Sequence, residues 1–412
     1  MQTINIDSYS TLVVMVLVLL LGSFVIKRVK FLQDYNIPEP VVGGIIAAVL
    51  FLCLYVFANI HLAFDSSLKD PLMLAFFSSI GLLADFASLK KGGVKLVIFL
   101  FIISGLLILQ NAVGIGVALG LRENPLIGLL GGSITMSGGH GTGGAWANEF
   151  IKAPYNFSAA YEVAMASATF GLIAGGVIGG PVAKFLITKY KLKTPDTNVE
   201  DKSAILNFEQ PGKEKLITQQ SFIESLALIS LCLLIGNFVS DYVKTLNVNF
   251  TLPTFVYCLF MGVILRNLLQ AFKIHEVFDR EVSVIGNVSL SLFLAYALMS
   301  INLWQLVSLA LPIVTILISQ VALMVFYAIF ITFRFCGRDY DAAVLAAGHC
   351  GFGLGATPTA MVNMQTVTNH YGMSHMAFII VPLCGAFFID LVNALIINGF
   401  LLFFELVTEL LR

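Results

Sequence analysis

Apolar runs of membrane-spanning length follow one another along almost the whole of this chain, and no other feature limits its fold so strongly. They lie near residues 11–27, 38–58, 71–89, 94–120 and 158–187, then 221–243, 252–270, 282–301, 305–333 and 374–407. A helix needs about 20 apolar residues to cross the hydrocarbon core of a bilayer. Ten such runs take up most of the 412 residues and leave no room for a sizeable soluble domain. The sequence is 58% hydrophobic and 11% charged, where soluble chains carry roughly 25% charged residues. The expected fold class is therefore an all-α integral membrane protein. A formal net charge of −1 gives no sign of a nucleic-acid partner. Cys53, Cys232, Cys258, Cys336, Cys350 and Cys384 stand singly in apolar runs, without a CxxC or a histidine at ligand spacing. They read as small buried hydrophobes, neither disulfides nor metal ligands.

Two stretches break the pattern: Gly131-Gly-Ser-Ile-Thr-Met-Ser-Gly-Gly-His-Gly-Thr-Gly-Gly144 and Gly348-His-Cys-Gly-Phe-Gly-Leu-Gly-Ala-Thr-Pro-Thr359. Backbone that cannot stay helical at membrane depth is tolerated only where protein buries it or where it lines a wet cavity. Each is expected to form a re-entrant hairpin, near 124–152 and 339–368, between the fourth and fifth spans of a set of five. The expected organisation is a membrane repeat over 1–190, a linker over 191–220 and a second membrane repeat over 221–412. The linker mixes lysines with Asp196, Glu200, Asp201, Glu209 and Glu214 around Pro195 and Pro211, as a solvated connection does.

Basic residues orient the spans. The first run has no basic flank ahead of it and carries Lys27, Arg28 and Lys30 behind, the reverse of a cleavable signal. It is expected to stay as a span, with both termini outside and the linker in the cytoplasm. That placement puts 18 of the 23 Lys and Arg residues inside and leaves Lys69, Arg122, Lys152, Lys244 and Arg412 outside.

The halves also match in detail. The Gly139-x-Gly141-x-Gly143 and Gly351-x-Gly353-x-Gly355 triplets stand 212 positions apart. Pro38 and Pro253, each opening a span, stand 215 apart, and Gln110 and Gln320 stand 210 apart. Five spans are an odd number, so the second half must enter from the opposite side. Inverted repeats with broken backbone meeting near the midplane are how many secondary transporters build a site that faces either side in turn.

At the hairpin tips glycine lets backbone approach a ligand closely, and a helix starting there aims free N–H groups at an anion. Freed carbonyls suit Na⁺, with hydroxyls such as Ser133, Thr135, Ser137, Thr142, Thr357 and Thr359. The Gly114/Gly116/Gly120 and Gly171/Gly175/Gly179 series read instead as helix packing. Charged groups inside spans are functional candidates by default. Asp390 lies mid-run with Asn393 on the same helical face, while Glu162 and Asp85 lie nearer span ends. His140 and His349 read as hydrogen-bond fillers, with proton carriage left open. Gln110, Asn111, Asn287, Gln320 and Asn398 suit either Na⁺ coordination or interhelical bonding. The chain holds no HExxH or comparable enzyme constellation. A channel and a proton-coupled carrier remain open on these residues alone.

The run Ser137-Gly-Gly-His-Gly-Thr-Gly143, the second glycine-rich stretch and the linker together resemble the bacterial sodium/glutamate symporters, over nearly the whole chain. The resemblance implies Na⁺-coupled uptake of L-glutamate across the inner membrane by two inverted halves, as a homodimer whose transport domain slides past a fixed scaffold. It implies Na⁺ as coupling ion and no cofactor. A related family carrying citrate and malate shares the general architecture, so a dicarboxylate or hydroxy-acid carrier is the alternative. On this reading Ser137, Gly138, Gly139, His140, Gly141, Thr142, Gly351, Gly353, Gly355 and Thr357 serve the carboxylates and Asp390 or Asn393 the ammonium. Thr135, Ser137, Gln110, Gln320 and Asp390 form the candidate Na⁺ neighbourhood. No arginine is expected within a span to form a carboxylate fork; Arg338 is the nearest.

Overall fold

The computed structural model describes residues 2–34, 37–194, 217–246, 252–300 and 305–410. The greater part of the expected linker, 195–216, lies outside the described residues. Apart from one two-stranded sheet the regular structure among the described residues is helical, as it must be where lipid offers the backbone no hydrogen-bond partner. In the first half the elements are β1 (Gln2–Ile6), α1 (Ser8–Ile26), α2 (Lys30–Asp34), α3 (Glu39–Ala58), β2 (Ile60–Phe64), α4 (Lys69–Leu82) and α5 (Phe86–Gly120). Then come α6 (Pro125–Leu129), a widened turn over Leu130–Ile134, α7 (Gly139–Ile151) and α8 (Ala160–Tyr190). The second half holds α9 (Gln219–Thr245), α10 (Thr254–Ala271), α11 (Asp279–Met299) and α12 (Gln305–Tyr327, carried on through a widened turn to Phe335). It closes with α13 (Tyr340–Leu354), α14 (Thr357–Tyr371), α15 (His375–Leu383) and α16 (Ile389–Leu410).

Eight of the described helices are long and apolar enough to cross a membrane. Two expected spans fall outside that count for plain reasons. Helix α4 has 14 residues, and the last run is divided by Pro382 and a widened turn over Cys384–Phe388. Leu17, Leu20 and Phe24 of α1 and Leu234 and Phe238 of α9 are exposed, as side chains facing lipid are.

The strands pair in parallel, Gln2 opposite Ile60, which ties the start of α1 to the end of α3. This end of the bundle is the N-terminal face; the opposite end, where α8 stops before the linker and α9 resumes after it, is the linker face. Cross-links fix the other elements to these ends. Tyr296 Oη donates to Phe64 O at 3.4 Å on the N-terminal face. Phe86 N donates to Asn267 Oδ1 at 3.1 Å on the linker face, where Lys95 Nζ also lies 3.6 Å from Asp339 Oδ2.

Helices α1, α3, α4, α9, α10 and α11 pack chiefly on one another, and α5–α8 with α12–α16 do likewise. The first group is called the frame. Within it α4 and α10 cross in backbone contact: a Cβ on Gly81 would collide with Leu259 O, and one on Gly262 would fall 2.6 Å from Ser78 O. In the second group Gly171, Gly175 and Gly179 of α8 seat α13 and α14, and Leu354 O occupies the space a Cβ on Gly171 would need. Gly114 meets Gly128 in the same way, but Gly116 and Gly120 face open space, so the packing reading holds for only part of that series. The six cysteines are free; five are buried and Cys53, on a lipid-facing position of α3, is exposed, which corrects the expectation for that residue. A second correction concerns Arg266, which lies within α10 and is 9% exposed. Asp279 neutralises it from the start of α11 at 2.6 Å, which is how a span tolerates a buried guanidinium.

Candidate functional site

The two glycine-rich stretches meet. Helix α7 starts at Gly139, whose φ of +64° is left-handed, and α14 starts at Thr357 after extended Ala356. A Cβ on Gly139 would lie 3.3 Å from Gly355 O, so the tips touch. No side chain caps either helix start. The first-turn amides of α7 at Gly139, His140 and Gly141, and of α14 at Thr357 and Thr359, have no carbonyl one turn back to accept them. Two positive dipole ends with open donors therefore face one place.

That place is a cavity of about 550 Å³ between the two groups of helices. Ser137 to Thr142, Phe352, Gly355 to Pro358, Gly385 and Asp390 line it from the second group. Phe76 and Ser79 of α4, and Asn287 and Leu290 of α11, form the opposite wall. Pro38, Leu83 and Ser283 extend it to helix ends on the linker face. Among the described residues no lysine or arginine lines it, Arg266 included, and its acidic residues are Glu39, exposed at the start of α3, and Asp390. Thr142 Oγ1 donates to Asp390 Oδ1 at 3.0 Å, which joins the first tip to the last span. The one anionic side chain of the inner cavity thus stands beside two sets of anion-seeking amides.

Amide side chains hold the tips in position from behind. Gln110 Nε2 donates to Gly353 O at 2.7 Å, and Ser137 Oγ lies 2.7 Å from Gln110 Oε1 and 3.2 Å from Gly353 O. Gln320 Nε2 donates to Gln110 O at 2.7 Å. At the break beside Gly132, Ser133 N donates to Asn111 Oδ1 at 2.9 Å, while Asn393 accepts from Ser133 Oγ and donates to Ser133 O. Thr357 Oγ1 donates to Gly385 O at 2.9 Å and Thr135 Oγ1 to Leu130 O at 2.6 Å. The groups on Gly353 O, Ser133 N, Ser133 O and Gly385 O supply partners to backbone at or beside the breaks, while Gln320 braces Gln110 itself.

The expected site residues therefore divide. Ser137 to Thr142, Gly355, Thr357 and Asp390 line the cavity. Gln110, Gln320, Thr135, Gly351, Gly353 and Asn393 stand behind it as supports, outside the lining. His140 Nε2 lies 3.0 Å from Thr169 Oγ1, whose own proton goes to Met165 O, so the imidazole nitrogen is the donor. His349 is fully buried beside Phe99 and Phe352, with Nδ1 2.8 Å from Thr332 Oγ1, and does not line the cavity. Sequence reasoning misses Phe76 and Leu290, which both face Gly141 and become neighbours only once α4 and α11 pack on α7. The oxygens that could hold a cation at the site are the Asp390 carboxylate, Thr142 Oγ1 and the carbonyls of the broken turns. Among the described residues no group of three His, Cys, Asp or Glu is placed to hold a metal ion.

A second cavity of about 360 Å³ lies at the N-terminal face, lined by Lys152 to Tyr155, Lys244, Leu252 to Thr254 and Asn398. It adjoins Pro253 at the start of α10 as the first cavity adjoins Pro38 at the start of α3.

Residues 4–373 match the family model described as sodium/glutamate symporter. The sodium/glutamate symporter of Escherichia coli strain K12 is 54% identical over 398 residues, 97% of this chain and 98% of that one. That of Haemophilus influenzae is 51% identical over 392 residues, 95% and 96% of the two chains. Among solved structures, a sodium proton antiporter from Methanocaldococcus jannaschii aligns with 96% of this chain and 98% of its own at 14% identity and a TM-score of 0.42.

Proposed function

The chain belongs to the sodium/glutamate symporter family, and on that premise we propose that it carries L-glutamate into the cell together with Na⁺, binding the amino acid in the cavity at the tips of α7 and α14. One observation carries the site assignment: two uncapped helix starts and one inner carboxylate, Asp390, share a cavity that no lysine or arginine among the described residues lines. Glutamate brings two carboxylates and one ammonium, the matching set. The amides of Gly139 to Gly141 receive one carboxylate, that of Thr357 at the start of α14 the other, and Asp390 with Thr142 the ammonium. Na⁺ takes oxygens at the same broken turns and offsets the net negative charge of the bound substrate.

The stretches 125–151 and 340–371 are re-entrant hairpins in this reading. Two features support the second: its ends meet, with Tyr340 Oη donating to Gly372 O and Ser374 Oγ to Asp341 Oδ1 at 2.7 Å. Its limbs run antiparallel, with Asn363 Nδ2 donating back to Ala347 O at 3.3 Å. For the first, α5 delivers the chain to the N-terminal face, and Asn148 near the end of α7 bonds there to Asp70. The halves form an inverted repeat: the first three spans of each build the frame, and the hairpins with their flanking spans build the second group. The second group moves across the frame as an elevator, carrying the tips between the cavity at the linker face and the one at the N-terminal face. The frame stays fixed in the bilayer as the centre of a homodimer, with termini outside and the linker in the cytoplasm.

The test is uptake of labelled L-glutamate into proteoliposomes holding this protein alone, under an imposed Na⁺ gradient and, separately, an imposed proton gradient. Uptake driven by Na⁺ alone is the expected result. Uptake of malate but not glutamate would transfer the site to hydroxy acids, and uptake driven by protons would remove Na⁺ from the mechanism.

A further inference from the structure

We propose that the first turn of α4, through Lys69 and Asp70, is a latch that holds the second group of helices in its linker-facing position and sets how readily it leaves. The inference rests on the sliding motion described above and assigns residues that control it. Lys69 and Asp70 are adjacent on the frame at the N-terminal face, and each reaches a different element of the second group. The Lys69 ammonium stands 4.8 Å from the ring centroid of Tyr161, at the start of α8. Asn148 Nδ2, near the end of α7, donates to Asp70 Oδ1 at 3.1 Å. Tyr161 and Asn148 are 8% and 4% exposed, so both contacts are partly shielded from water, where a cation on a ring and a hydrogen bond to a carboxylate are stronger. The contacts around them are apolar and smooth: Trp146 sets its edge on Phe255, and Gly144 faces the Phe293 ring. Such surfaces slide; the polar pair resists.

The linker face carries the same parts in the opposite state. Asp279 and Arg280 open α11, 210 positions after Lys69 and Asp70, and Asn363 lies 215 after Asn148 on the matching limb of the second hairpin. Here Asp279 is held within the frame by Arg266, at 2.6 Å. Asn363 is held within the second group by Gly175 O, at 2.9 Å, and by Ala347 O. At the N-terminal face both polar contacts thus cross between the groups, while Asp279 and Asn363 at the linker face stay within their own groups; the bond that does cross there, Phe86 N to Asn267 Oδ1, sits on the short α4–α5 connection that tethers the groups in any case. That asymmetry is what a latch closed on one side and open on the other requires.

The test reads position directly. Spin labels go on Lys152→Cys, in the second group, and Lys244→Cys, in the frame, both positions about half exposed, with Cys53→Ser removing the exposed native thiol. Their distance distribution is measured in the full-length protein in nanodiscs, with and without Na⁺ and L-glutamate. Lys69→Gln is expected to enlarge the second distance population about fivefold, Asn148→Ala to do the same, and Lys69→Arg, which keeps the cation, to restore the original. A distribution unchanged by both Lys69→Gln and Asn148→Ala overturns the latch. A distance that never changes under any ligand overturns the latch and the sliding motion together. A latch-dependent shift in protein that takes up no glutamate leaves the latch standing and removes the substrate assignment alone.

Discussion

At Gly139 the left-handed φ of +64° would cost a residue with a Cβ about 1–2 kcal/mol, and a β-branched one more. Gly139→Val is expected to abolish uptake while leaving the protein in the membrane, which immunodetection of membrane fractions beside transport assays will check. Gly353→Ala should be milder. Its Cβ would meet Met324 Sδ at 2.9 Å and Leu106 Cδ2 at 3.1 Å, ends of flexible side chains that can give way. The glycine-rich tips and Asp390 are legible in the sequence because dense glycine and a lone carboxylate are anomalies inside apolar runs. The division of labour among the polar residues is not. Gln110 and Asn393 look as suited to a ligand as Ser137 does, and only the packing of α5 and α16 against the tips turns their amides onto Gly353 O and Ser133 O.

Among the elements, α13 and α14 lie side by side as two limbs held together by contact with almost no slack. A Cβ on Gly351 would stand 2.5 Å from Ala360 N, backbone that cannot move aside without parting the limbs. Asn363 bridges both limbs and α8 through Ala347 O and Gly175 O. Asn363→Ala removes two buried hydrogen bonds to helical carbonyls and is expected to lower stability by roughly 1–3 kcal/mol, read as a fall in the thermal unfolding midpoint in detergent. An unchanged midpoint would mean that the amide does not hold these helices together. Most of the spans are readable from hydropathy alone, since α1, α3, α5 and α8 through α12 are each long and apolar. The widened turns at Leu130–Ile134 and Cys384–Phe388 are not, because a one-residue change in helical hydrogen bonding leaves no periodic mark on the sequence.

The protein as a whole, on the proposed reading, works as a frame and a moving group with the substrate between them. Gly144 of α7 faces the Phe293 ring of α11 across that boundary, 2.8 Å from where a Cβ on the glycine would stand. A reducible bifunctional thiol cross-link between Gly144→Cys and Phe293→Cys is expected to stop uptake, and reduction to restore it; full transport with the cross-link intact would exclude sliding. The proposed repeat rests on spacings such as Pro38 to Pro253, but spacing cannot say which spans form the frame, because packing partners are a property of three dimensions. On the same proposed reading charge selects the substrate: two helix starts for two carboxylates, and Asp390 for the ammonium. That match is put to the test by the affinity of the purified protein for L-glutamate relative to glutarate, which lacks only the amine, in the native protein and in Asp390→Asn. Glutamate is expected to be favoured by at least about 30-fold in the native protein. The ratio should fall towards one in the variant, while Asp241→Asn, at an exposed pair with Lys244, changes nothing. An undiminished preference for glutamate in Asp390→Asn would contradict the pairing of Asp390 with the ammonium.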